Sequence, residues 1–283
     1  MTKDGKMFAV PFAAVSHAMY YNKDVFQKEG LSVPQTWEDF IALCKTLQSK
    51  GYTPLANGVA DEWDILECFF LGGVVPDFVG GPSERVKYEK KEVPLNDEKF
   101  ISAYKAMIDV AKYCPKGFES VTYNDSQILF NTQKAVMFMD GSWTAGVYKD
   151  APFQWGVFAL PAPAGRKTAI CFHPDMALTM NTKTAHPAEA KAFLAWLCTE
   201  AGVTTASKNL PVGYFPMIKF TIKLDDPHAN EFLALNAGKE TDARFVWPAL
   251  MNLYSPMNQA VIGVMKGTLT PEKAAQMVAD QYK

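Results

Sequence analysis

Several signals are missing from this sequence, and each absence narrows its function. No run of about eighteen apolar residues occurs, so no membrane-spanning segment and no direct membrane insertion are expected. Basic charge is not in excess: 28 Lys and Arg face 30 Asp and Glu, a formal net charge of −2, which argues against a nucleic-acid partner. The five cysteines, Cys44, Cys68, Cys114, Cys171 and Cys198, form no Cys-x-x-Cys pair and fit no zinc spacing, so no metal is expected. Their odd number argues against a complete disulfide framework. Cys44 and Cys198 lie in helical apolar patterns and read as small core residues. Gly-x-Ser-x-Gly, a phosphate loop, a dinucleotide glycine fingerprint and His-Glu-x-x-His are all absent. No cofactor is therefore expected. Asp61, Glu62 and Asp64 stand too close in sequence to flank a glycosidic bond without a distant partner, so an enzyme is not expected either. The start, Met1 to Lys6, has no apolar core of a signal peptide.

What is present describes a folded α/β chain. At 283 residues, 48% hydrophobic and 20% charged, it can bury a large core and has room for two domains. Aromatics reach 13%, a richness that suits either a large core or a partner with apolar ring faces, such as a carbohydrate. Gly5 to Phe12 reads as an apolar strand ending at Pro11, followed by a loop of small residues and a second strand, Ala18 to Tyr21. A helix from Val25 to Glu29 stops at Gly30. Trp37 to Lys50 has the 3.6-residue period of an amphipathic helix, with Thr36 and Asp39 as a capping box and Gly51 past its end. Thr53 to Ala56 reads as a strand, Asp64 to Leu71 as a helix ending at Gly72-Gly73, and Ser83 to Glu92 as loop. Further helices are expected over Glu98 to Tyr113, capped by Asn96, and over Asp125–Thr132, Pro187–Thr199, Met257–Met265 and Pro271–Tyr282. Strands are expected at Gln133–Met139, Gln154–Leu160 and Ala177–Met180. Alternating strands and helices imply an α/β fold with helices layered on a sheet. The Pro/Ala/Gly stretch 161–165 is a candidate crossing between lobes.

Seven short motifs in a fixed order resemble one family. They are the strand-turn Ala18 to Asp24, Thr36-Trp37-Glu38-Asp39-Phe40, and Phe130-Asn131-Thr132-Gln133-Lys134-Ala135-Val136-Met137, in which Gln133 replaces the family's Gly. Asp140-Gly141-Ser142-Trp143, Phe158-Ala159-Leu160-Pro161-Ala162-Pro163, the helix Ala188 to Thr199, and Gly267-Thr268-Leu269-Thr270-Pro271-Glu272-Lys273-Ala274 complete the set. Together they resemble the extracellular solute-binding proteins of sugar-importing ABC transporters, the family of maltose-binding protein. The resemblance implies a type II periplasmic-binding-protein-like α/β fold of two lobes, with ligand held between them and hinge closure over it. In that family the first motif lies about a hundred residues into the chain, so the resemblance implies that one lobe is incomplete here. Residues 15–163 plus 240–283 would form the better-preserved lobe and 164–239 a remnant of the second. The implied function is capture of a sugar, oligosaccharide or polyol for a pair of membrane permeases with their ATPases, in the periplasm or outside the cell. The alternatives are a lobe that acts as a protein-interaction scaffold and a glycoside-processing enzyme.

The candidate ligand residues follow from position and chemistry. Trp143 sits just past a strand, where open α/β sheets place ligand residues, and the resemblance makes it a stacking aromatic; otherwise it caps the lobe surface. Trp63 stands among three carboxylates, an odd setting for a core residue. Glu62 is a hydroxyl acceptor or a helix-start acid favoured by the dipole. Tyr254 occupies the place of a family aromatic, or packs between helices; Trp247 is a further candidate. His17 lies where the family contacts ligand, or is an exposed loop residue. His173 and Asp175 offer polar groups where relatives carry Gly-Gly. Tyr214 and Phe215, in a Pro-flanked loop, are candidates to close over the site.

Overall fold

Val10 to Asn22 form one uninterrupted strand, β1, where the sequence predicts two strands and a loop. Pro11 does not end it. The pairing instead slips between Pro11 and Ala13 and again between Ala13 and Ala14. A bulge tolerates proline because the ladder there does not use its missing N–H. The computed structural model describes residues 2–3, 5–217, 224–247 and 249–282.

β1 organises the sheet. The other strands are β2 (Thr53–Leu55), β3 (Ala135–Gly141), β4 (Trp155–Phe158), β5 (Ala169–Leu178), β6 (Phe215–Pro216) and β7 (Glu240–Asp242). The strand expected at Ala177–Met180 is thus only the far end of β5, which begins eight residues earlier. The order is β2-β3-β1-β5-β7, with β4 and β6 also paired to β1. β1 runs antiparallel to β3, β4, β5 and β6, whereas β2–β3 and β5–β7 are parallel. β3 and β4 pair with the His17–Asn22 end of β1, and β5 and β6 with the Val10–Ser16 end.

The helices form where caps and periodicity agree. Asn22 caps α1 (Lys23–Glu29), which Gly30 closes in the left-handed region at φ 65°. Thr36 and Asp39 form the expected capping box of α2 (Trp37–Ser49). α3 runs unbroken from Glu62 to Val79, wound as a π-helix from Ile65 to Val74. It passes through Gly72-Gly73 instead of ending there, because both glycines are needed for packing. A Cβ on Gly72 would lie 2.7 Å from His17 Nδ1, and one on Gly73 2.8 Å from a Leu160 methyl. The expected loop after it holds a helix, α4 (Pro82–Glu89), started by Pro82 and pinned by Arg85 to Asp242 on β7. α5 (Glu98–Ala111) is capped by Asp97, one residue beyond the expected Asn96. Then come α6 (Tyr123–Asn131), α7 (Pro187–Leu197), α8 (Glu200–Ser207), α9 (Pro227–Leu235), α10 (Tyr254–Met265) and α11 (Pro271–Gln281).

Successive residues of β1 serve opposite faces, as strand alternation requires. Met19 joins a core built by α2, α3, α5, α10 and α11, with Phe40, Phe69, Phe100 and Met257 fully buried. Tyr20 joins a second core with Phe130, Phe138, Tyr148, Trp155 and Phe232. Each fully buried side chain of this size contributes roughly 1.5–3 kcal/mol from lost apolar surface. The result is a sheet between two helical layers. Among the described residues no single helix is long and apolar enough to cross a membrane.

Candidate functional site

The middle of β1 around His17, the end of β3 and the first turns of α3 and α10 meet at the edge where β3 ends along β1 and β5 takes over the pairing. His17 is not an exposed loop residue: it lies within β1 and is buried, facing Gly141 of β3 in the strand register. Beyond Gly141 the chain turns into a short 3₁₀ segment, Ser142–Tyr148, which presents the half-buried indole of Trp143. Gly141 makes this possible, since a Cβ there would sit 2.0 Å from the Trp143 ring.

From Trp143 the contacts run in two directions. On one side its indole N–H donates to the Tyr123 hydroxyl at 2.8 Å, and that hydroxyl donates to Asp140 Oδ2 at 3.0 Å. Tyr123 also meets Trp63, ring centroids 4.6 Å apart. On the other side Trp143 takes the edge of His17 at 5.3 Å, and His17 Nε2 stands 3.3 Å from His173 Nε2. His173 packs against Trp247 at 4.7 Å. The buried Arg244 guanidinium spans both sides, 4.4 Å from the Trp247 ring centre and 5.7 Å from that of Trp143. It is paired with Glu67, which also accepts from the Tyr254 hydroxyl. Glu62, at the start of α3, accepts from Asn258 of α10 at 2.8 Å.

Seven of the eight residues singled out in the sequence thus meet at this edge: Trp143, Trp63, Tyr254, Trp247, His17, His173 and Glu62. Asp175 does not join them. It is exposed on β5, at the bulge that leaves it unpaired between Pro174, which faces Ala14, and Met176, which faces Ala13. Phe215 is buried in β6 against Ala14 and so is no lid, while Tyr214 beside it is half-buried. Cys198 is exposed rather than core, whereas Cys44 is buried as expected.

Five residues of the cluster lie outside the sequence-based expectation: Arg244, Glu67, Tyr123, Asp140 and Asn258. Two carried a signal. Glu67 is the lone charge in the apolar run Ile65–Val74, and Asp140 the lone charge closing the apolar strand β3. A charge set in apolar sequence needs a partner when buried.

Burial sets the electrostatics. It pushes the Asp140 carboxyl up to about 7, against hydrogen bonds from the Gly141 N–H, Thr144, Tyr123 and Cys68 that favour the ionised form. Asp64, buried next to Asp140, is also raised well above the usual carboxylate range, by burial first and by the Asp140 charge second. Burial, and then the Arg244 charge, push His173 down to about 4 and hold His17 well below its ordinary value, so both rings are neutral near pH 7. Chemically, the edge offers several aromatic faces, the carboxylates of Glu62, Glu67 and Asp140, and a guanidinium, with Arg244 Nε and Asn258 Oδ1 unpartnered among the described residues.

Comparison with known proteins gives the fold and the family. The chain is 26% identical over 200 residues to the multiple sugar-binding protein of Streptococcus mutans, covering 69% of this chain and 48% of that one. It is 25% identical over 270 residues to the maltotriose-binding protein of Pyrococcus abyssi, covering 94% and 54%. The chain thus spans about half the length of these relatives. Among solved structures, one from work on xylan utilization by the thermophilic bacterium Caldanaerobius polysaccharolyticus superposes with a TM-score of 0.85 at 21% identity, over 100% of this chain and 74% of the other. A chitin oligosaccharide binding protein superposes with a TM-score of 0.82 at 24% identity, over 99% and 72%. These establish the solute-binding-protein fold. Residues 1–204 match the family described as bacterial extracellular solute-binding protein, and the chain belongs to that family.

Proposed function

We propose that this chain captures a sugar, oligosaccharide or polyol at the Trp143 edge and performs no chemistry on it. The observation that carries the reading is the pair Trp143 and Trp247 flanking a guanidinium whose Nε–H has no partner among the described residues, with Trp63 reached from Trp143 through Tyr123. Pyranose rings present apolar C–H faces to indoles and hydroxyls to charged side chains. A buried, unpaired donor costs free energy until an acceptor such as a sugar hydroxyl reaches it. Sugar-binding relatives support the same reading.

In this reading the ligand lies between two lobes, with residues 15–163 and 240–283 forming one and 164–239 contributing to the other. Shared burial of α5, α10 and α11 in one core supports the first grouping. The protein works at the outer face of a cell membrane or in a periplasm and hands its ligand to ABC permeases and their ATPases. A thermal-shift screen of mono- and oligosaccharides tests the reading, followed by calorimetry on the best ligand. Stabilisation by a carbohydrate, lost in W143A, is the expected result. A flat screen, or a ligand bound equally well by W143A and W247A, refutes it.

A further inference from the structure

We infer that His17, Cys171 and His173 form a binding site for a thiophilic transition-metal ion, zinc in particular. The inference stands apart from the carbohydrate reading and rests on strand register. Ser16 pairs with Phe172 and Val15 with His173, so one step further along the same register His17 faces Cys171. Directly opposed residues share a face of the sheet, and so do residues two apart on one strand. All three side chains therefore project from one side of the β1–β5 pair. One ligand atom from each lies within 4.8 Å of the other two, and all three residues are buried. This cross-strand spacing replaces the helix and hairpin spacings that are absent from the sequence, and it is invisible until the two strands are paired.

The two histidines are already arranged as ligands. The Pro174 carbonyl can only accept, so the 2.9 Å contact places the His173 proton on Nδ1 and leaves its Nε2 lone pair facing His17. A carbonyl that accepts from the far ring nitrogen is the usual device for fixing a metal-binding imidazole. The two Nε2 atoms are 3.3 Å apart. With Zn–N bonds of about 2.0–2.1 Å, the edge of a tetrahedral site is also about 3.3 Å. As a direct hydrogen bond the same contact is long. Two imidazoles and one thiolate suit zinc, and three protein ligands leave a fourth position open.

Charge permits it. Arg244 disfavours positive charge at the two histidines, but it favours the Cys171 thiolate that would hold the ion and is itself paired with Glu67. Binding releases the Cys171 thiol proton to solvent, and the ion takes its place on sulfur. His17 must then carry its proton on Nδ1, the atom that has no partner among the described residues.

The test uses the whole chain in a C198S background, since Cys198 is an exposed thiol that would bind such ions by itself. After long incubation with Co²⁺, the expected result is one ion per chain, with a thiolate-to-cobalt charge-transfer band and tetrahedral d–d absorption, both erased by Zn²⁺. C171S is expected to abolish the charge-transfer band, and H173Q to weaken Zn²⁺ binding at least tenfold. Zn²⁺ should raise the Tm of the C198S chain but not of the C198S/C171S chain. Absence of the band, a band that persists in C171S, or equal Zn²⁺ affinity in H173Q overturns the site.

Discussion

The Trp143 indole N–H donates to the Tyr123 hydroxyl at 2.8 Å, a bond that anchors the polar end of a ring already in contact with His17 and Arg244. The Tyr123 backbone is itself anchored, since its N–H donates to Asp61 Oδ2 at 2.8 Å. Y123F is therefore expected to keep the fold but release the indole, weakening sugar affinity about fivefold, the equivalent of a hydrogen bond of roughly 1 kcal/mol. Calorimetric titration with the best ligand from the screen checks this; unchanged affinity shows that the ring needs no anchor.

Asp140 predicts a pH signature. Its folded carboxyl is raised from 3.8 to about 7, so between these values the native state binds more protons than the unfolded chain and stability falls as pH rises. His17 and His173 act in the opposite sense: their lowered values make stability rise with pH, in a window that runs from about 4 to 6.5 for His173. D140N removes the first effect, together with the Asp140 charge that helps to raise the neighbouring Asp64. Relative to the parent, D140N is expected to gain stability steadily from about pH 4 to about pH 7, reaching a few kcal/mol. Urea unfolding at several pH values measures it, and a pH-independent difference between the two proteins contradicts it.

Gly141 predicts a steric effect at the same edge. G141A puts a methyl carbon 2.0 Å from the Trp143 ring. The indole must rotate, at a cost of about 1–3 kcal/mol typical of overpacking. Near-ultraviolet circular dichroism of the tryptophans should change and sugar affinity should fall, while far-ultraviolet spectra stay the same. An unaltered near-ultraviolet spectrum would falsify the proposed ring position.

An apolar surface lies away from this edge. Phe193 is 54% and Trp196 41% exposed on α7, their rings stacked with centroids 6.0 Å apart. Leu197 of the same helix borders a groove of about 650 Å³ with Met7, Pro11 and Phe172. Exposed apolar area of this kind drives association. Light scattering is expected to show concentration-dependent self-association, reduced in the double variant F193E/W196E; a parent chain that stays monomeric at high concentration contradicts this.

The parts of the fold legible in the sequence were those governed locally. Thr36, Asp39 and a 3.6-residue apolar period announced α2, and Gly30 announced the end of α1. What stayed hidden depended on partners far along the chain. Pro11 looked like a strand end because the bulge that accommodates it exists only against β5. Gly72-Gly73 looked like a helix stop because the His17 ring that occupies the space beside Gly72 comes from another element. The candidate site was legible in its aromatics, which stand out beside turns and acids. Its charged centre was not, since Arg244 and Glu67 are 177 residues apart and acquire meaning only as a pair.

The central position of β1 has a consequence for how the chain is made. Among the described residues, every strand that pairs with its thirteen residues lies downstream, and the first of these, β3, begins only at Ala135. The 112 intervening residues, 23 to 134, take roughly six to twenty seconds to synthesise at about 5–20 residues per second. Through that interval β1 waits for all the partners it has among the described residues, and an unpaired apolar strand is the state in which nascent chains stick to one another and holding chaperones act.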